Sequence, residues 1–358
     1  MSRRKSLLAV LVLLAVMAAA SAAPAQGPSR LSLRISRVTF SPGEPVLLNL
    51  FLDVFDESGR SLPELSDRSL FLIEDGAPYA GPLEVQPYAA TDRPLAYAVL
   101  IDNREDLAAS LTMVQNGAAG FIDRMGFRYQ GTVISYADSP RVMAGPTAQA
   151  AQLEAAVRLL DPVPGHPRLS DALVLGVRTV KAAETRPVRE GGLGRRVLLL
   201  FTEGLDQGSM FSWTAVAAGV LESEAALFVL GYGRPDTETM SGLAALAEQT
   251  GGAFFFAYRP EDLGLLSEIA AERVRSQYVL TFPPQVVALD GRVHHLEVRL
   301  GIKGDVSQAG VEFKAPLIRT PRARLEPAAV AGVVILVLAG VWLAVRLRRG
   351  RRPVGNPG

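Results

Sequence analysis

The stretch LAYAVLIDNRED, which runs from Leu95 to Asp106, decides the fold class of this chain. Its first seven residues are apolar without a break, which is typical of a strand buried on both faces of a parallel sheet. Two similar runs follow, RVLLLFT at 196–202 and ALFVLGY at 226–232. In the segments between these three apolar runs, apolar residues recur at helical spacing, for example over 169–183. Strands that alternate with helices predict an α/β fold with a doubly wound, mostly parallel sheet.

Shorter β-type segments flank this α/β stretch on both sides. Alternating apolar residues and turn signals predict short strands at 31–35, 46–54, 69–73, 278–282, 294–300 and 311–314. Short strands of this kind form small sandwich-like modules. The sequence leaves open whether the N-terminal and C-terminal segments join in one module.

Both ends of the chain carry signals for export and membrane attachment. Arg3, Arg4 and Lys5 precede an apolar run and a small-residue stretch, which together predict a signal peptide over 1–25. Residues 328–345 carry no charged or polar side chain and are followed by five arginines. This pattern predicts one transmembrane helix and a cytoplasmic C-terminus. The bulk of the chain is therefore expected outside the cytoplasm, periplasmic or on the cell surface, anchored in the cytoplasmic membrane.

The composition excludes several classes of function. The chain has 37 Lys and Arg residues against 36 Asp and Glu, so it lacks the basic excess expected of a nucleic-acid-binding protein. It has no cysteine, which rules out disulfides and thiolate sites. Its three histidines are scattered, and no hydrolase, phosphate-loop or zinc-protease motif occurs. We therefore expect a protein that is not an enzyme.

The α/β stretch resembles a von Willebrand factor A domain of the kind found in bacterial exported proteins. The motifs that carry the resemblance are AVLIDN at 98–103, LSDAL at 169–173, VLLLFTEG at 197–204, Gly251–Gly252 before a strand, and RSQYVL at 275–280. In addition, FLIEDG at 71–76 resembles the β module that often precedes such domains. The resulting domains are the signal peptide (1–25), an N-terminal β module (27–90), the α/β domain (91–285), a C-terminal β segment (286–320), the transmembrane helix (328–346) and the tail (347–358).

The resemblance implies a magnesium site at the carboxyl edge of the sheet. In the family, an Asp-x-Ser-x-Ser loop, a Thr and a further Asp hold the ion, and a partner's carboxylate completes its coordination. Here Arg104 and Asp106 stand where the two serines belong, and Glu203 stands in the place of the last Asp. Pro167 occupies the Thr position, so that only Asp102 is kept. The chain is thus expected to have a degenerate metal site.

The differences from the family's metal-binding motif allow two arrangements of this site. In the first, Arg104 pairs with Asp102 or Glu203 and takes the place of the metal, since a guanidinium suits a carboxylate. In the second, Arg104 turns outward, and Asp102, Asp106 and Glu203 bind Mg²⁺ or another divalent cation. Asp102, Arg104, Asp106 and Glu203 are the candidate ligand-binding residues in both. A third interpretation makes Asp106 part of a helix cap with Asn103.

The resemblance implies a binding function at the same edge. The loops near 102–106, 165–170 and 203–210 would recognise a protein or an envelope component. The alternative is a structural scaffold subunit of an envelope membrane complex that binds no ligand at this site.

Overall fold

The computed structural model describes residues 31–41, 45–56, 60–62, 65–183, 194–235, 237–287, 290–302 and 305–316. The predicted signal peptide and transmembrane helix lie outside these residues, and none of the described helices is long and apolar enough to span a membrane. The main compact unit includes the described residues up to 287 and residues 294–313. A small second unit includes residues 290–293 and 314–316, where the Ala315 amide donates to the Arg292 carbonyl at 2.9 Å.

The secondary structure of the described chain alternates as the sequence predicts. The strands are β1 (Leu31–Ser41), β2 (Leu47–Asp56), β3 (Leu70–Glu74), β4 (Ala77–Pro78), β5 (Glu84–Pro87), β6 (Leu95–Asp102), β7 (Gln130–Tyr136), β8 (Arg141–Thr147), β9 (Arg195–Thr202), β10 (Ala225–Tyr232), β11 (Ala253–Ala257), β12 (Tyr278–Phe282), β13 (Val293–Ile302) and β14 (Asp305–Lys314). The helices are α1 (Ala108–Met125), α2 (Ala150–Arg158), α3 (Leu169–Ala183), α4 (Trp213–Glu222), α5 (Glu238–Gln249) and α6 (Leu263–Arg275).

The central sheet has the strand order β8-β7-β6-β9-β10-β11. Its pairs are parallel except for β8, which runs antiparallel to β7 at one edge. Counted from the first strand of the sheet, this is the doubly wound order 3-2-1-4-5-6. The order reverses between β6 and β9, where such sheets bind their ligands. The predicted α/β class with a mostly parallel sheet is confirmed.

Helices cover both faces of this sheet. Alternate residues of β6 point to opposite faces, so that Val99 belongs to one apolar core and Leu100 to the other. The first core is closed by α1, α2 and α6, and the second by α3, α4 and α5. All residues of β6 and β10 are buried, which explains why their sequences are apolar without alternation.

The flanking β segments join in one sandwich. One sheet has the order β1-β2-β12-β5 and the other β14-β13-β3-β4, so each sheet combines strands from before and after the α/β stretch. A shared core contains Leu50, Tyr278 and Leu296. The strand 278–282, which has the pattern of the flanking β segments but falls within the predicted bounds of the α/β domain (91–285), pairs with β2 and β5 of the sandwich.

Arg34 ties the sandwich to the α/β domain. Its guanidinium donates to Asp53 at 2.8 Å and to the carbonyls of Gly251 and Gly252 at 3.1 and 3.0 Å. Gly251 follows α5 with a φ of +72°, and a Cβ atom there would lie 2.6 Å from Cβ of Ser36. The glycine pair therefore ends the helix and also permits the close approach of β1.

Candidate functional site

The site lies where the strand order reverses. Strands β6 and β9 run side by side with Ile101 opposite Phe201, so Asp102 and Glu203 leave the sheet at the same carboxyl edge. Gly204 follows with a φ of +74°, and its amide donates to the Thr202 hydroxyl at 2.9 Å. This turn takes the chain sharply out of β9 and leaves Glu203 beside the crevice.

Asp102 and Arg104 form a buried pair in this crevice. Nε of Arg104 lies 3.0 and 3.1 Å from the two carboxylate oxygens of Asp102, and Nη2 lies 3.0 Å from Oδ2. The Arg104 amide donates to Oδ1 at 3.3 Å. The two residues are 0% and 4% exposed, respectively. Of the two arrangements that the sequence left open, the structure therefore has the first, in which Arg104 pairs with Asp102.

The other two candidate residues lie at the solvent side of this pair. Nη2 of Arg104 is 3.8 Å from Glu203, and Nη1 is 3.8 Å from Asp106. The side chain of Asp106 is 86% exposed, whereas that of Glu203 is 28% exposed. The structure thus brings all four predicted residues together around one guanidinium, with Asp102 inside and the other carboxylates outside.

Protonation of the site follows from burial and charge. Burial by itself lowers the pKa of Arg104, but the hydrogen bonds and charge of Asp102 raise that pKa above its ordinary value. Burial raises the pKa of Glu203, while the charge of Arg104 opposes this shift. The guanidinium therefore stays charged and provides the positive centre of the site.

The described residues do not fit a metal ion in this arrangement. Both oxygens of Asp102 accept hydrogen bonds from Arg104, and a cation already lies against them. Within the described part of the chain, no three His, Asp or Glu side chains converge as a group that could hold a metal. The alternative with Arg104 turned outward thus differs from the arrangement found. The Asn103–Asp106 cap is also absent, since the Asn103 amide group donates to the Asp161 carbonyl at 2.8 Å and neither side chain caps the adjoining helix.

Two tyrosines beneath the pair were not anticipated from the sequence. Tyr136 and Tyr232 end β7 and β10, and both are buried. Tyr136 donates to the Phe201 carbonyl at 3.3 Å, whereas the Tyr232 hydroxyl has no partner among the described residues. Burial raises the pKa of both phenols well above the ordinary value, and the charge of Asp102 adds to the effect. The signal in the sequence that could have indicated them is a tyrosine as the last residue of each of two apolar strands, β7 and β10.

Backbone hydrogen bonds tie the first two loops of this edge together. The Val163 amide donates to the Asn103 carbonyl at 2.9 Å, and the Glu105 amide donates to the Val163 carbonyl at 2.8 Å. The loop after α2 therefore lies alongside the Arg104 segment like a short added strand. This contact fixes the backbone on both sides of Arg104.

The third loop is held by Asp171 and Pro167. Oδ1 of Asp171 accepts from the amides of Met210 and Phe211 at 2.8 and 3.2 Å, and the Pro167 carbonyl accepts from the Gln207 amide at 2.7 Å. Asp171 lies in the first turn of α3, but its carboxylate binds the neighbouring loop instead of its own helix end. The loops predicted to recognise a partner are therefore connected in one platform.

This platform exposes apolar and acidic side chains. Val163, Leu205, Met210 and Phe211 are exposed, with Met210 at 82%. Exposed Glu105, Asp106 and Asp206 lie on the same loops. We refer to these seven residues as the carboxyl-edge surface.

Among the comparisons with known proteins, only the search of solved structures finds proteins that are similar to this chain. No protein-family model matches the chain, and no curated protein matches it. The chain is similar to proximal thread matrix protein 1 from the mussel byssus, with 17% identity over 56% of this chain and 50% of that one, at a TM-score of 0.45. The chain thus spans about half the length of the mussel protein, which is also known with a zinc-occupied MIDAS motif.

Two bacterial structures are similar as well. A von Willebrand factor type A protein from Catenulispora acidiphila shares 11% identity over 82% of this chain and 75% of that one, at a TM-score of 0.44. BatB from Bacteroides thetaiotaomicron shares 15% identity over 51% of this chain and all (100%) of that one, at a TM-score of 0.39. Similarity at this level carries no detail of the site. The α/β domain has the doubly wound strand order with a crevice between β6 and β9, and its motifs around Asp102, Asp171 and Glu203 resemble those of von Willebrand factor A domains.

Proposed function

We propose that this protein is an envelope-anchored binding protein that recognises a partner protein through the carboxyl-edge surface without a metal ion. The observation that carries the proposal is the buried Asp102–Arg104 pair. Arg104 supplies the positive charge that a metal would supply, and it holds the loop backbone in place. Its 4% exposure leaves no room for a partner's carboxylate to reach it.

The chemistry of the partner follows from the charges that remain. The charges of Asp102 and Arg104 compensate each other, so Glu203, Asp106, Glu105 and Asp206 leave the edge acidic. Four exposed apolar side chains lie among them. We therefore expect a partner surface that carries Lys or Arg beside apolar groups, which is the reverse of the carboxylate that a metal site would bind.

The location rests on the two ends of the chain. The basic start and apolar run within 1–25 support export, and the apolar stretch 328–345 before five arginines supports one membrane anchor. An anchored domain with an open binding edge suits contact with another envelope protein. The scaffold function requires no contact at this edge.

Site-specific photo-crosslinking in the native host tests the proposal. A photoreactive amino acid replaces Met210 on the carboxyl-edge surface or, as a control, Phe127, which is 83% exposed beyond the end of α1. We expect a discrete adduct with a second protein from position 210 only, with a yield unchanged by a chelator. Asp106→Lys should reduce the yield, whereas Asp92→Lys, at a fully exposed side chain before β6, should not.

Other outcomes would contradict the proposal. Equal adducts from positions 210 and 127 would show that the carboxyl-edge surface has no special role. Loss of the adduct in chelator would show that a metal takes part in binding. Absence of a discrete adduct from position 210 would favour the scaffold function, which requires no contact at this edge.

A further inference from the structure

The two sheets of the sandwich have four edge strands, and three of them carry features that discourage pairing with another chain. β4 and β5 have only two and four residues, and they end in Pro78 and Pro87. The register of β1 shifts between Ile35 and Arg37, as at a β-bulge. Short strands, prolines and bulges are common ways in which edge strands avoid pairing with another chain.

The fourth edge strand, β14, lacks these features. It has ten residues without a proline, DVSQAGVEFK, and its side chains alternate without interruption between half-buried and exposed. Among the described strands, β13 lies on one side of β14 and none lies on the other. A long and regular edge strand of this kind is a template for pairing with a further strand.

Every second residue of β14 directs its backbone groups away from β13. Only two residues connect β13 to β14, so the two strands are antiparallel. Directly after β14, the Ala315 amide donates to the Arg292 carbonyl at 2.9 Å. Because hydrogen-bonded and non-hydrogen-bonded positions alternate along an antiparallel pair, the odd-numbered residues of β14 face β13 with their N–H and C=O groups. The residues whose backbone groups form the open edge are therefore Val306, Gln308, Gly310, Glu312 and Lys314.

The half-buried face of β14 adds an apolar strip along this edge. Ala309, Val311 and Phe313 pack against the sandwich core and are only partly covered. The Phe313 ring lies 5.7 Å from the ring of Phe40 in β1, which is also partly covered. A strand added beside β14 would therefore remove further apolar surface from water.

The sequence of β14 suits pairing with a second copy of itself. An antiparallel register centred on Gly310 gives every residue of the open edge a hydrogen-bonded partner, whereas a centre at the neighbouring Ala309 leaves Lys314 beyond the paired strand. No like charges lie opposite each other in the first register, which favours the pairing. The opposite residues are Val306 and Lys314, Gln308 and Glu312, Ser307 and Phe313, and Ala309 and Val311, with Gly310 opposite its own copy.

We propose that β14 is a dimerisation edge, at which two copies of this chain pair their β14 strands about a two-fold axis at Gly310. A second copy is the occupant because one register satisfies all the open backbone groups, covers the apolar strip and brings no like charges together. The strands β14-β13-β3-β4 of both copies would then form one continuous sheet. The carboxyl-edge surface uses none of these residues, so each copy keeps its own.

Cysteine crosslinking of the full-length chain in host membranes tests the proposal, since the native chain has no cysteine. Gly310→Cys places a thiol at the two-fold axis, beside the exposed ring of His295, which can move aside. We expect mild oxidation to convert most of this variant into a disulfide-linked dimer. Val306→Cys is the matched control on the same face of β14, because its two copies would lie about 27 Å apart along the paired strands.

Charge variants test the same register without a disulfide. Gln308→Glu places a carboxylate opposite Glu312 at two symmetric positions. The dissociation constant of the dimer, measured by sedimentation of the full-length chain in detergent, should rise about 2- to 30-fold. The additional substitution Glu312→Gln removes this repulsion and should restore the native value.

Three outcomes would overturn the proposal. The first is a native chain that sediments as a monomer and gives no disulfide from position 310. The second is equal disulfide yields from positions 306 and 310, which would reflect random collision. The third is a dimer that gives no disulfide from position 310 and keeps its dissociation constant in Gln308→Glu, because such a dimer must use another surface.

Discussion

Nε and Nη2 of Arg104 each lie 3.0 Å from a different carboxylate oxygen of Asp102, and both residues are buried. A fork of two parallel hydrogen bonds is the strongest way in which these side chains interact. It places the guanidinium of Arg104 inside the protein, at the position where the resemblance to the family implies a bound metal ion. The acidic side chains left at the surface then determine which partner the edge prefers.

Removal of Arg104 should destabilise the fold. Arg104→Ala leaves Asp102 buried without a counter-charge, which costs about 3–5 kcal/mol in comparable buried pairs. The free energy of unfolding, measured by denaturant titration, should fall by an amount of this order. Asp106→Asn, at a side chain that is 86% exposed, should change it by less than about 0.5 kcal/mol. A small effect of Arg104→Ala would contradict the structural role of the pair.

Asp171 should control the order of the loop at 203–212. Asp171→Asn weakens the hydrogen bonds that Oδ1 accepts from the amides of Met210 and Phe211, at an expected cost of about 1–3 kcal/mol. Amide hydrogen exchange at these two residues should accelerate, while exchange in β10 stays slow. Asp206→Asn is the control, because this exposed side chain contacts Ser209 of its own loop. Unchanged exchange in Asp171→Asn would show that other contacts hold the loop.

Asp75 should make the sandwich sensitive to acid. Its pKa is lowered, first by a hydrogen bond from the His295 amide and then by the His294 side chain, whose Nδ1 lies 2.7 Å from Oδ2. A folded pKa below the unfolded value of 3.8 contributes stability above that value. This contribution is lost as the pH falls through the folded pKa.

The stability difference between the native chain and Asp75→Asn should accordingly be present above about pH 4 and shrink as the pH falls below that value. Denaturant titrations across this range measure it. Asp92→Asn, at a fully exposed side chain, should show no such change with pH. A difference that grows on acidification would be opposite in sign to the expected linkage.

Gly251 should tolerate no side chain. Gly251→Ala carries the cost of a left-handed conformation, about 1–2 kcal/mol, and adds a contact of 2.6 Å with Ser36. Gly208→Ala is a matched control, because its φ of +77° is similar but a Cβ atom there would have no other atom within 4 Å. Thermal unfolding should therefore show a clearly larger loss of Tm for Gly251→Ala. Equal losses would mean that the approach of β1 is adjustable.

The sequence was most informative where structure depends on local pattern. The buried strands around 95–102, 195–202 and 225–232 follow from uninterrupted apolar runs, and helix α3 has the predicted bounds. The pair of Asp102 and Arg104 was one of the arrangements that the sequence left open, and a separation of two residues in one loop brings these side chains within reach.

Long-range pairing was beyond such reasoning. Alternation identifies 278–282 as a strand, but it cannot show that Leu280 pairs with Leu50, which is 230 residues earlier in the chain. The role of Asp171 was missed because its partners are backbone amides, which any residue could provide.

Calorimetric titration of Mg²⁺, Mn²⁺ and Ca²⁺ into the full-length chain, beside its Arg104→Ser variant, determines whether Arg104 replaces the metal. We expect no saturable binding by the native chain, because Arg104 already occupies both oxygens of Asp102. We expect binding by Arg104→Ser, in which Asp102 and Glu203 are free to bind a hard cation. Saturable binding of one metal ion by the native chain, with an affinity equal to that of the variant, would contradict the replacement of the metal by Arg104.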